Sequence, residues 1–80
     1  MKIPRDVGGH DLVKVLNRYG YEVTRQTGSH IRLTTLQGGE HHLTIPAHDS
    51  LRIGTLSAIL TEVAEHLGKE KSQLIAELWG

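Results

Sequence analysis

The chain contains no cysteine, no phenylalanine and no hydrophobic run approaching the length of a membrane span. Without cysteine there are no disulfide staples, no thiolate nucleophile and no zinc site built on Cys pairs. The composition fits a reducing compartment. The N-terminal Met1-Lys2-Ile3-Pro4-Arg5-Asp6 has no apolar stretch behind its basic residue, so it does not read as a secretory signal. A cytoplasmic protein with no membrane partner is expected. Aromatics are limited to Tyr19, Tyr21 and Trp79, which argues against a base-stacking platform for single strands. An excess of one charge is also lacking: nine Lys and Arg face nine Asp and Glu. Strong nonspecific nucleic-acid binders are usually basic, because phosphate neutralisation supplies most of their affinity.

What is present is unevenly spread. Lys2, Arg5, Lys14, Arg18, Arg25 and Arg32 stand against only Asp6, Asp11 and Glu22 in the first part of the chain, and the second half is acidic. Six histidines add positive charge as pH falls below about 7. The 80 residues predict one domain over residues 1–80. A domain of this size buries only about 60% of the surface its unfolded chain exposes.

Leu12, Val15, Leu16 and Tyr19 recur at helical spacing, and Gly8-Gly9 and Gly20 bracket them, predicting a helix from about Gly9 to Tyr19. The period then becomes two. Tyr21, Val23 and Arg25 alternate with Glu22 and Thr24. His30, Arg32 and Thr34 alternate with Ile31, Leu33 and Thr35. His42 and Thr44 alternate with His41, Leu43 and Ile45. Turns at Thr27-Gly28 and Gln37-Gly38-Gly39-Glu40 separate the three segments, so they read as an antiparallel meander ended by Pro46. Leu56, Ile59, Leu60, Val63, Ala64 and Leu67 restore helical spacing, with Thr55 as the expected N-cap and Gly68 as the stop. Leu74, Ile75 and Leu78 predict a short third helix ending near Trp79. The class is α+β, an α-β-β-β-α two-layer sandwich with a short C-terminal helix. Both long helices cover one face of the sheet, built from Ile31, Leu33, Leu43 and Ile45.

Strand alternation then leaves His30, Arg32, Thr34, His42 and Thr44 on the open face. Two histidines, an arginine and two hydroxyls suit RNA cleavage without metal. One group removes the 2′-OH proton, the oxygen attacks the adjacent phosphate, and another group protonates the departing 5′-oxygen. Histidine serves either role, and a cation such as Arg32 stabilises the charged phosphorane. Each residue also has a plainer reading. A strand histidine can be a solvated face residue, Ser29 can simply satisfy turn backbone, and Arg25 and Arg32 can be ordinary exposed cations. His48 can cap the loop into the second long helix. His10 and His66 read as surface residues on helices. His41 and His42 point to opposite faces of one strand, and no helix carries His at i, i+4, so neither a metal site nor a cofactor is expected.

Three segments in order, Gly28-Ser29-His30, Ile45-Pro46-Ala47-His48 and Gly54-Thr55-Leu56-Ser57-Ala58-Ile59-Leu60, resemble the HicA family of small bacterial and archaeal toxins. The resemblance runs from about Lys2 to Leu67 and leaves out Lys69–Gly80. It implies a double-stranded RNA-binding-domain-like fold. It also implies an endoribonuclease, or mRNA interferase, acting as the toxin of a type II toxin–antitoxin system. His30 matches the family's catalytic histidine. Gly28, Ser29, Arg32 and His48 are the expected substrate-binding residues. The implied partners are an mRNA substrate and a HicB-type antitoxin that masks the active face, with no direct binding to DNA. Two alternatives stand beside this: a noncatalytic RNA-binding module on the same fold, and a protein-interaction adaptor. Simple duplex binding is the weaker rival, because only Arg52, offset by Asp49, lies near the start of the second long helix.

Overall fold

The computed structural model describes residues 3–80. Met1 and Lys2, the latter counted above among the basic residues, lie outside it. The first helix, α1, spans Gly9–Leu16, and its last turn tightens into a 3₁₀ turn over Asn17–Tyr19. Gly8 is the extended N-cap. With no side chain of its own it relies on Asp11, whose carboxylate accepts from the Gly8 N–H at 2.9 Å. Leu12, Leu16 and Tyr19 are buried, and Gly20, in the left-handed region at φ 80°, turns the chain into the sheet.

Three antiparallel strands follow in the order β1 (Glu22–Thr27), β2 (His30–Thr35) and β3 (His41–Pro46). Ile31, Leu33, Leu43 and Ile45 are buried, while His30, Arg32, His42 and Thr44 are exposed and Thr34 is half-buried. Two layers result, with the helices against the apolar face. Thr35 lies on that face too and is fully buried. Its hydroxyl donates to the Tyr19 carbonyl at 2.7 Å and accepts from the Gln37 N–H at 3.1 Å, so no polar atom is stranded.

β1 departs from simple alternation. Glu22 pairs with Thr34 and Val23 with Leu33, but Arg25 pairs with Arg32, so Thr24 is an extra residue. Beyond this bulge the faces exchange, and Arg25 does not share a face with Tyr21 and Val23 as strict period two predicts.

α2 covers Ile53–Leu67 and buries Leu56, Ile59, Leu60, Val63 and Ala64. Its N-cap is Arg52 rather than Thr55, which sits within the first turn. Tertiary anchoring sets that start: Leu51 is buried and its N–H donates to the Val7 carbonyl at 2.8 Å, so the chain enters the helix directly after it. Gly68, at φ 67°, ends the helix. α3 spans Lys71–Trp79 and buries Leu74 and Ile75. Its Glu77 is a latch. The carboxylate accepts from the Tyr19 hydroxyl and from Lys69 Nζ, at 3.0 Å, while the Arg18 guanidinium donates to the Glu77 carbonyl. The Tyr19 hydrogen bond, and then Lys69, hold the Glu77 carboxyl below its usual value.

Candidate active site

The β1–β2 connection is two residues long, Gly28 and Ser29, closed by the Thr27–His30 pair. The Ser29 carbonyl accepts from the Ala47 N–H at 2.9 Å, which ties this turn to the chain leaving β3. One residue on, the His48 carbonyl accepts from the Gly9 N–H at 2.9 Å. Three segments distant in sequence therefore meet at one end of the sheet: the Gly28–His30 turn, Pro46–His48 and the start of α1.

Gly8 and Gly9 make that meeting possible. A Cβ on Gly9 would run into the Pro46 carbonyl, and one on Gly8 would stand 2.6 Å from the Asp49 carbonyl. Read as a helix start alone, these residues gave no sign of this contact. The available signal was two glycines in tandem where a side-chain cap is normal. Gly28 is the opposite case. It lies outside the left-handed region, and a Cβ there would touch nothing within 4 Å. The fold does not demand glycine at this position, and the space over it is open.

His30 is exposed at this turn, with Nδ1 3.1 Å from the Ser29 hydroxyl. Among the described residues nothing bonds its Nε2. Arg32 follows two residues along β2 on the same face, beside Thr44 of β3. His48 is exposed and brought to the turn through its backbone; its imidazole bonds nothing among the described residues. Gly28, Ser29, His30 and the His48 main chain thus gather at one end of the sheet, and Arg32 extends that surface inward.

The far end of the open face holds a second polar array. Thr24 and Thr34 hydroxyls lie 3.0 Å apart, Thr34 Oγ1 lies 2.8 Å from His42 Nδ1, and His42 Nε2 lies 2.8 Å from Glu40. His42 pairs with Thr34, four residues beyond His30, or about 13 Å along the strand. It is too distant to share a proton-transfer step with His30.

His66 is not the surface residue its sequence position suggested. It is half-buried, and its Nε2 donates to the carbonyls of Gln37 and Gly39 at 3.0 and 3.1 Å, holding the β2–β3 turn. Its ring stacks on His41, with centroids 4.4 Å apart. His41 in turn lies 2.8 Å from the Tyr21 hydroxyl and 3.1 Å from Glu62. Burial, and then the nearby Glu62 charge, push the Tyr21 hydroxyl up to about 12. Among the described residues no three His, Asp or Glu side chains are placed to hold one metal ion.

A family model described as the HicA toxin of bacterial toxin–antitoxin matches residues 9–65. The chain belongs to the HicA toxin family. The match covers α1, the Gly28–His30 turn, Pro46–His48, the whole sheet and nearly all of α2, and it stops short of α3. Neither a curated protein nor a solved structure matches the chain. Membership places the protein in a toxin–antitoxin module and implies an antitoxin as its partner. Among the described residues no helix is long and apolar enough to cross a membrane.

Proposed function

We propose that this toxin is an endoribonuclease that cuts mRNA through its 2′-hydroxyl, without a metal, and is silenced by a HicB-type antitoxin over the same face. One observation carries the reading: His30 stands exposed at the Gly28–Ser29 turn, with one ring nitrogen against the Ser29 hydroxyl and the other turned to no described group. A phosphate over Gly28 meets open space rather than a side chain. His30 is the general acid or base. Gly28 and Ser29 admit and bond the substrate, Arg32 binds it as a cation farther along the same face, and His48 lines the substrate path beside the turn. The reaction leaves a 2′,3′-cyclic phosphate or its hydrolysis product.

The test compares wild type with His30→Ala in induced cells and on purified RNA. Loss of one proton-transfer group lowers the rate about 10²–10⁴-fold. An exposed side chain away from the core changes stability by less than about 0.5 kcal/mol. His30→Ala should therefore fold like wild type while growth arrest and mRNA decay disappear. Cleavage should survive excess EDTA and fail on substrates carrying 2′-O-methyl at the cut. Undiminished cleavage by His30→Ala, or cutting of DNA, refutes the assignment.

A further inference from the structure

Arg25 reaches the open face through the β1 bulge. If Thr24 were paired regularly with Arg32, Arg25 would fall on the side of Val23, which pairs with buried Leu33. With the bulge it lies directly opposite Arg32, and cross-strand partners share a face. Thr24 points to the same side, its hydroxyl 3.4 Å from the Arg32 carbonyl and 3.0 Å from the Thr34 hydroxyl. Both arginines are exposed. Among the described residues no carboxylate lies within ion-pair distance of either guanidinium. Glu22 pairs in register with Thr34, and Glu40 is engaged by His42.

Like charges directly opposite one another destabilise a strand pair. An anion seated between them removes the repulsion, and two planar guanidinium forks match the oxygens of a phosphate. Position adds a second constraint. Arg32 lies two residues beyond His30 on the same face, about 7 Å along the strand. That is the scale of one nucleotide step along an extended chain.

We propose that Arg25 and Arg32 together grip the phosphate next to the one cut at His30, and that the Thr24 bulge is the device that delivers Arg25 to it. The proposal rests on the RNA-cleavage reading above. A carboxylate of a protein partner could also satisfy a guanidinium pair. The fixed spacing to His30 on one face favours a polymer with regularly placed anions.

The test uses the full chain and a short fluorescent 2′-O-methyl RNA that binds without being cut. Its dissociation constant is followed across a salt series for wild type, Arg25→Gln, Arg32→Gln, the double variant and Arg25→Lys. Each single Gln substitution should weaken binding about tenfold. It should also lower the slope of log affinity against log salt, by at most about 0.7, the share of one single-strand phosphate. Because both side chains hold one phosphate, the double variant should lose less than the product of the singles. Arg25→Lys should recover the slope but not the full affinity. Arg25→Gln should melt at or above the wild-type temperature, which separates a binding role from a structural one. Wild-type affinity and slope in Arg25→Gln overturn the proposal. If Arg25→Gln weakens only antitoxin binding, the pair serves the protein partner instead. If wild type binds no RNA, the cleavage reading fails, and this proposal fails with it.

Discussion

Replacing Gly9 with alanine tests whether the convergence of three segments depends on a bare backbone at the start of α1. The new methyl would strike the Pro46 carbonyl, which belongs to main chain leaving β3 and cannot rotate aside. Overpacking of this kind costs about 1–3 kcal/mol. Moving α1 away also strains the Gly9 N–H bond to the His48 carbonyl, worth about 0.5–1.5 kcal/mol. Alanine's better helix propensity returns at most about 1 kcal/mol. The balance is a loss of about 2 kcal/mol, which in a domain of this size lowers the melting temperature by about 10 °C. Gly28→Ala is the control. Its methyl meets nothing and its backbone is not left-handed, so stability should stay within about 1 kcal/mol of wild type. Thermal and urea denaturation followed by circular dichroism read both variants. A Gly9→Ala protein as stable as wild type would refute the close-approach argument, and a strongly destabilised Gly28→Ala would refute the claim that its glycine is free of the fold.

Alkaline stability follows from two tyrosines. Burial, and then the Glu77 hydrogen bond, push Tyr19 up to about 12, and burial with the Glu62 charge does the same for Tyr21. The unfolded chain releases these protons near 10 and the folded one near 12, so stability is complete below about pH 10 and falls as pH climbs toward 12. A urea midpoint that stays flat from pH 9 to 12 would contradict this. His66→Ala removes two hydrogen bonds from the β2–β3 turn and should cost about 1–2 kcal/mol. Hydrogen exchange should quicken first around Gly38 and Gly39; unchanged protection there means the turn holds itself. On binding its antitoxin, the toxin should gain protection between Arg25 and Thr34 and from His42 to His48. Protection confined to α2 and α3 means inhibition works some other way.

Features set by local periodicity were legible in the sequence. Ile31, Leu33, Leu43 and Ile45 announce one buried sheet face, and the meander places His30 opposite it. Two glycine turns and the Gly68 stop locate the element ends closely. Features set by contacts between distant segments were not legible. Nothing in Val23-Thr24-Arg25 marks a bulge, since no glycine or proline stands there, so strict alternation groups Arg25 with Val23. Thr55 has the chemistry of a cap, but the anchoring of Leu51 to Val7 starts α2 earlier. His66 borders the apolar stripe, three residues after Val63 and seven after Ile59, and only the arrival of the β2–β3 turn gives its ring a task. The functional side of Gly8-Gly9 likewise exists only once Pro46–His48 is laid across it.

α3 lies beyond the segment that defines the family, yet it closes the core of this member with Leu74 and Ile75 and fastens itself through Glu77 to Tyr19 and Arg18. A nine-residue helix does not persist alone in water, so if the Glu77 contacts and the packing of Leu74 and Ile75 are both lost, α3 unwinds and leaves those apolar side chains exposed. Partial opening of this sort is the state that proteases and chaperones recognise. Substitutions at Glu77 would therefore favour that opening while leaving the Gly28–His30 turn untouched.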